Sequence, residues 1–307
     1  MVPLQIQFTH RYEEACALRD AGFEPIECAF GQHGSVLGEH ALDHHGTESH
    51  REGVALRACR DLYGARRQDP RFVVTGTPDA DAVLAIVALA GLVPARALTP
   101  EFYELVNRQD LDPIGLALLD EPGGIPLAWF NQQEHLTQSE AGFRKAIGHM
   151  VRLLTQGLPA SEHAAVEARD RHRREKAREG ILARYDRSGL ALPLPDPPRR
   201  VLRGEAALDD AARVRVVRST VWGFDVWYRL APVVVSYAAR MAKVTVGCPD
   251  LATAELLFGP GGLQTVWPHL GKGWGGRETI GGSPRGERLS LEVTHQTART
   301  ILPLLRA

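Results

Sequence analysis

The chain has 307 residues, 44% hydrophobic and 24% charged, with 36 Lys+Arg against 37 Asp+Glu and a formal net charge of −1. A composition this close to the soluble average excludes a disordered chain, a collagen-like rod and a coiled coil. The balanced charge excludes a polyelectrolyte binder, so affinity for phosphate or nucleic acid has to come from a local patch.

In chain order, Leu4-Gln5-Ile6-Gln7-Phe8 alternates like a strand, Arg11 to Ala21 reads as a helix stopped by Gly22, and Phe23 to Phe30 as a second strand. A loop rich in Gly and His follows, then a helix over Ser49–Tyr63. Phe72-Val73-Val74-Thr75 has the character of a buried parallel strand, and Asp79 opens a helix with apolar Val83, Ile86, Val87 and Leu92. Further helices are expected at Pro100–Asn107 and Ala141–Thr155, with a strand at Ile125–Phe130. From Ser161 to Asp186 the chain is charge-dense and helical, and Leu192-Pro193-Leu194-Pro195-Asp196-Pro197-Pro198 reads as a linker, since proline removes donors and fixes φ. Beyond it the pattern predicts strands at Val214–Val217, Val226–Leu230, Val233–Tyr237 and Val244–Val246, a helix at Leu251–Leu257 and a last helix at Thr294–Leu305.

This alternation predicts an α/β fold, a mostly parallel sheet flanked by helices with a smaller α/β C-terminal domain. The expected division is residues 1–158, a helical and Pro-rich linker over 159–200, and 201–307. The four cysteines show no metal-site spacing, and Met1-Val2-Pro3 leads into the first strand without signal-like character, so a cytoplasmic protein with reduced thiols is expected. The longest strongly apolar stretch, Val83 to Val93, is too short to span a bilayer.

Three strings carry chemistry. The first is Asp43-His44-His45-Gly46, the centre of a cluster holding five of the twelve histidines. Adjacent imidazoles serve one metal only from a loop or strand end, and Asp43 could ligate or orient an imidazole. The second is Asp79-Ala80-Asp81, two carboxylates at the carboxyl end of a buried strand, where open α/β sheets place ligands. Taken alone, helix capping by Asp79 and dipole pairing by Asp81 account for them more simply. The third, Asn107-Arg108-Gln109-Asp110-Leu111-Asp112-Pro113, ends a helix with acids that oppose its dipole; a cation or an ordinary Asp-Pro turn accounts for them. Mixed carboxylate and imidazole donors suit Mn²⁺ or a similar divalent cation rather than structural zinc.

These motifs resemble the DHH superfamily of phosphoesterases, which contains RecJ-type exonucleases and oligoribonuclease/pAp phosphatases. Asp43-His44-His45 matches the signature, Asp79-Ala80-Asp81-Ala82 the DxD strand end, and Asp110 the acid of a further motif. In this chain the signature precedes the DxD string, the reverse of the family order. The resemblance implies a DHH domain, a DHHA1-type second domain and manganese in the site, as two ions, with Mg²⁺ or another divalent cation as substitutes. By position, Asp43, His44, Asp79, Asp81 and Asp110 would be metal ligands, with Asp43, His44 and His45 as the catalytic set. The run Gly271 to Gly286, seven glycines in sixteen residues, resembles the family's substrate loop. There Gly275, Gly276, Gly281 and Gly282 would admit an anion to the backbone, and Arg277 and Arg285 would hold its phosphate; a flexible hairpin is the other reading. The expected activity is hydrolysis of a short oligonucleotide or nucleotide-like phosphate ester by a protein without membrane attachment, with a homodimer left open. A nucleotide sensor that no longer cleaves and a metal-dependent deacylase remain the alternatives.

Overall fold

The computed structural model describes residues 3–48, 50–63, 69–111, 118–133, 137–179, 182–185, 191–192, 213–228, 231–284 and 286–306. The chain forms two compact units, Met1–Arg169 and Asp170–Ala307. Both mix helices with sheet. The division falls inside the charge-dense helix, and residues 193–200 of the proline-rich stretch lie outside the described residues.

The first unit carries three parallel strands, β1 (Gln5–Phe8), β2 (Glu24–Ile26) and β3 (Arg71–Val74), in the order β1-β3-β2. Its helices are α1 (Tyr12–Asp20), α2 (Val54–Arg60), α3 (Ala80–Leu89), α4 (Pro100–Leu111), α5 (Gly124–Asn131), α6 (Glu140–Gln156) and α7 (Ala160–Glu179), the last crossing the division. The central strand β3 is buried along Phe72, Val73 and Val74 because both of its sheet faces are covered. Ile6, Ile26, Phe72 and Val74 pack into the core that holds α2, α3 and α6, while Val73 packs with Ala15, Cys28 and Phe30 on the side of α1. Every residue of α3 is buried, as expected of a helix apolar all round. Helix α6 shows instead a stripe of Phe143, Ala146, Ile147, Met150 and Leu153, starts where the Gly142 N–H donates to Ser139 Oγ (3.1 Å), and stops at Gly157 with φ 70°.

Two expected strands prove to be helices. Ile125–Phe130 lies in α5: its apolar run lacks strand alternation because Leu127, Ala128, Trp129 and Phe130 are all buried, and Pro126 sits in the first turn, where no N–H is needed. Within Val226–Leu230, residues up to Trp227 belong to the short α8 (Phe224–Trp227), and 229–230 lie outside the described residues. The strand expected over Phe23–Phe30 ends at Ile26, because Glu27 turns left-handed at φ 51°. The helix expected over Ser49–Tyr63 is the shorter α2.

The second unit holds a mixed sheet in the order β5-β4-β6-β7-β8-β10-β9. Its strands are β4 (Leu182–Tyr185), β5 (Ala191–Leu192), β6 (Val214–Ser219), β7 (Val233–Ala238), β8 (Lys243–Gly247), β9 (Gly275–Gly276) and β10 (Ile280–Gly282). Only β6 and β7 run parallel among these neighbours, so the second unit is a mixed-sheet α/β domain, while the parallel sheet expected of the first half is β1-β3-β2. Alternate valines of β6, β7 and β8 pack against α9 (Leu251–Phe258), α10 (Trp267–Leu270) and α11 (Leu291–Ile301). The last helix therefore covers the sheet as expected, beginning three residues earlier than its sequence pattern suggests.

Candidate metal centre

The site is assembled where β2 and β3 end. Past Ile26 the left-handed Glu27 turns the chain, and its N–H donates to Leu42 O (2.8 Å), drawing the histidine loop back beside the strand. A second left-handed residue, Ala41 at φ 48°, precedes Leu42-Asp43-His44-His45. The Arg57 guanidinium on α2 donates to Ala41 O (3.1 Å) and Asp43 O (2.9 Å), which pins the loop to the helix. Two non-glycine residues held at positive φ are the kind of strain that persists only where the surroundings enforce it.

His44 is fully buried, and carboxylates approach one atom of it. Its Nε2 lies 2.8 Å from Glu27 Oε1, 2.9 Å from Asp110 Oδ2 and 3.7 Å from Asp81 Oδ2. Burial disfavours the imidazolium, but hydrogen bonding to Asp110 and Glu27 prevails and raises its pKa to about 11. The carboxyls shift the other way. Burial, then the charge of Asp79, pushes Glu27 well above the usual range; burial, then Asp110, takes Asp79 to about 7 and raises Asp81 as well. Crowded, desolvated acids of this kind either keep protons or share a cation. The donor atoms of Glu27, His44 and His45, and those of His44, Asp81 and Asp110, lie within 4.8 Å of one another in each group. These groups could hold a divalent metal ion, and their chemistry, imidazole plus carboxylate without thiolate, fits one that prefers N/O ligands.

The structure sorts the expected residues. His44, Asp81 and Asp110 converge. Asp43 turns to His45 instead: its Oδ1 lies 2.8 Å from His45 Nδ1 and accepts the N–H groups of His44 (2.9 Å) and His45 (3.2 Å), while Ser35 donates its hydroxyl to Oδ2. Burial pushes the Asp43 carboxyl up, yet the bonds from His45 and Ser35 outweigh it and bring the pKa down to about 2. Asp79 accepts the Ala82 N–H at Oδ1 (3.0 Å), capping α3. Glu27 was not among the expected residues. Its signal is an acid inside the apolar run Pro25-Ile26-Glu27-Cys28-Ala29-Phe30.

Asp81 has a second task. Its Oδ2 accepts the Val54 N–H (2.8 Å) and its Oδ1 the Ala55 N–H (2.9 Å), so a residue of α3 caps α2. Asn107 Oδ1 accepts the Gly53 N–H (2.8 Å) beside it. A Cβ at position 53 would stand 2.8 Å from Asp81 Oδ1 and 2.9 Å from Asn107 Oδ1, which is why the residue is glycine.

The glycine-rich run of the second unit forms the hairpin β9–β10, with Gly281 opposite Gly276 and Gly282 opposite Gly275. A Cβ on Gly276 would meet Gly281 Cα at 2.2 Å, one on Gly281 would meet Gly275 O at 2.4 Å, and one on Gly282 would meet Val244 O at 2.6 Å. The half-buried Arg277 closes the hairpin through its N–H to Ile280 O (2.7 Å), and Arg285 lies outside the described residues. Among the described residues no helix is long and apolar enough to cross a membrane.

Comparison with protein-family models, curated proteins and solved structures finds no match to this chain. The site therefore rests on its own chemistry.

Proposed function

We propose that the first unit is a divalent-cation-dependent phosphoester hydrolase acting on a short oligonucleotide or a nucleotide-like phosphate. One observation carries this reading: three carboxylates approach a single buried imidazole nitrogen at the carboxyl ends of parallel strands, the place where such sheets present their ligands. Glu27, His44, Asp81 and Asp110 would hold the cation, which supplies a Lewis acid for a phosphoryl oxygen and lowers the pKa of a water. His45 differs from its neighbour in being partly exposed, with 26% of its side chain accessible. Asp43 engages Nδ1 and so fixes the ring, leaving Nε2 as the atom that can meet a substrate oxygen or take up a proton. Because Asp43 stays ionised, it supports the charge that such a proton brings. The near-zero net charge favours a small anionic substrate over long duplex DNA, whose binding needs many phosphate contacts.

The test is hydrolysis of a chromogenic phosphodiester with and without Mn²⁺, beside an acyl ester. Activity that needs the cation and is lost in both His44→Ala and Asp110→Asn supports the proposal. Full activity in either variant, or hydrolysis of the acyl ester alone, ends it.

A further inference from the structure

We propose that Arg57 is the positioning residue of the centre: its guanidinium holds the histidine loop against α2 so that His44 meets the carboxylates carried by α3 and α4. The inference rests on the hydrolase reading for the cation and the reaction, while the tie itself follows from the geometry.

The centre is built from two halves that arrive by different routes. Glu27 and His44 come from the turn after β2 and the loop that follows it, Asp81 and Asp110 from α3 and α4. Helix α2 is joined to both halves. Its opening amides are held by the carboxylate half: the Val54 and Ala55 N–H groups donate to Asp81, and the Gly53 N–H donates to Asn107, three residues ahead of Asp110 on α4. Its Arg57 holds the histidine half, donating from Nη1 to Ala41 O (3.1 Å) and from Nη2 to Asp43 O (2.9 Å), while Nε donates to Glu52 O (3.1 Å). The carbonyl between those two, Leu42 O, takes the Glu27 N–H (2.8 Å). Three consecutive carbonyls directly ahead of His44 are thus fixed, two by α2 and one by the end of β2.

The side chain is suited to this tie. All three guanidinium nitrogens donate to main-chain oxygens rather than to a carboxylate. A planar fork spans two carbonyls at once, which an ammonium on a flexible stem does not. Burial, then the nearby charge of Arg51, lowers the Arg57 pKa, so the half-buried cation is kept here at a cost. Arg60, on the same helix, shows the contrast: it pairs with Glu52 and Asp61 at the surface and touches none of the loop. The backbone gives the reason for a strong tie. Ala41 is held at φ 48°, and a bend of that kind at a non-glycine residue persists only while its surroundings enforce it. Without the fork the bend relaxes, and His44 draws away from Asp81 and Asp110.

The experiment compares the full-length parent protein with Arg57→Lys, Arg57→Ala and Arg60→Ala. Mn²⁺ affinity is read by equilibrium dialysis of the metal-stripped proteins well below their melting temperatures, and kcat and KM with the chromogenic phosphodiester at saturating Mn²⁺. Arg57→Lys keeps the charge and the stem but loses the fork, so it should melt within about 4 °C of the parent. It should nevertheless bind Mn²⁺ about tenfold more weakly and lose about tenfold in kcat, as outer partners of metal ligands do. Its KM should stay within about twofold, because the residue touches no substrate. Arg57→Ala should lose about 100-fold, and Arg60→Ala should match the parent in affinity and kcat. If Arg57→Ala melts early, Arg57→Lys decides alone. Parental Mn²⁺ affinity and kcat in Arg57→Lys, a loss borne by KM alone, or an equal loss in Arg60→Ala overturns the proposal. A parent that binds Mn²⁺ without hydrolysing the phosphodiester removes the hydrolase reading, and the Mn²⁺ affinities of the variants still decide this inference. A hydrolysing parent matched by Arg57→Lys does the reverse, and a parent with no saturable Mn²⁺ binding removes both.

Discussion

The polar cluster at the ends of β2 and β3 and the glycine hairpin β9–β10 differ in what accounts for their residues. At the hairpin, sterics suffices: facing backbones approach so closely that a methyl group at Gly276, Gly281 or Gly282 would strike main-chain atoms. At the cluster, packing explains Asp81 in part, since it caps α2, but gives no reason to gather Glu27, His44, Asp81 and Asp110 around one nitrogen. Glu27, His44 and Asp81 fill buried positions that aliphatic side chains could occupy at lower desolvation cost, and the chain adopts left-handed backbone at Glu27 and Ala41 beside them. A residue explained by its backbone neighbours needs no ligand; a set of buried carboxylates crowded on one imidazole, beyond what capping requires, points to one.

The contrast can be broken in several places. Asp110→Asn should lower kcat/KM for a phosphodiester at least about 100-fold with little change in melting temperature, since the carboxylate is partly exposed. A variant that keeps its activity but melts early would make the cluster structural. Conversely, Gly281→Ala should destabilise the protein by about 1–3 kcal/mol in urea melts, as overpacking does, and leave first-unit Mn²⁺ binding intact. A fully stable Gly281→Ala variant would show that the hairpin is not held by close approach and would revive the anion-loop reading.

Protons offer a finer probe. Asp79 is raised to about 7, so between about pH 4 and about 7 it holds more proton in the metal-stripped folded state than in the unfolded chain, and Glu27 and Asp81, also raised, act in the same direction. Their stabilising contribution is lost as pH rises through that window. His44, raised to about 11, contributes stability that is complete below about 6.5 and lost as pH climbs toward 11. Asp43 acts oppositely, its contribution being present above about 4 and lost as pH falls toward 2. The metal-stripped melting temperature should therefore fall between pH 5 and 8, and the rise on adding Mn²⁺ should be larger at pH 8, where fewer protons compete. Equal rises at both pH values would place the ion elsewhere. The smallest effect is expected at Arg60, whose exposed ion pair with Glu52 (2.6 Å) lies on the outside of α2; Arg60→Ala should cost no more than about 1 kcal/mol.

Much of this organisation is legible in the sequence. The β-branched run of β3, the apolar α3 and the stripe of α6 follow from side-chain period, and the parallel strand end explains why Asp81 sits near a site. Period fails where burial is complete: Leu127 to Phe130 are apolar on every side, so helix and strand look alike. The partners within the site were less legible still. Asp43, His44 and His45 are adjacent, yet the chain turns the first and third toward each other and sends the second to Glu27, Asp81 and Asp110. That sorting depends on left-handed turns at Glu27 and Ala41, residue types that rarely announce such a conformation. Asp79 and Asp81 divide likewise, one spent on its own helix and one on another.

The capping of α2 by Asp81 makes that carboxylate a mechanical link as well as a charge. The oxygen that holds Val54 also faces His44, so a shift of a few tenths of an ångström toward the imidazole is felt at once by the opening amides of a neighbouring helix. Chemistry at this spot is thereby coupled to the backbone of Val54 and Ala55. Hydrogen exchange at those two amides would register a cation held beside His44, long before any larger rearrangement.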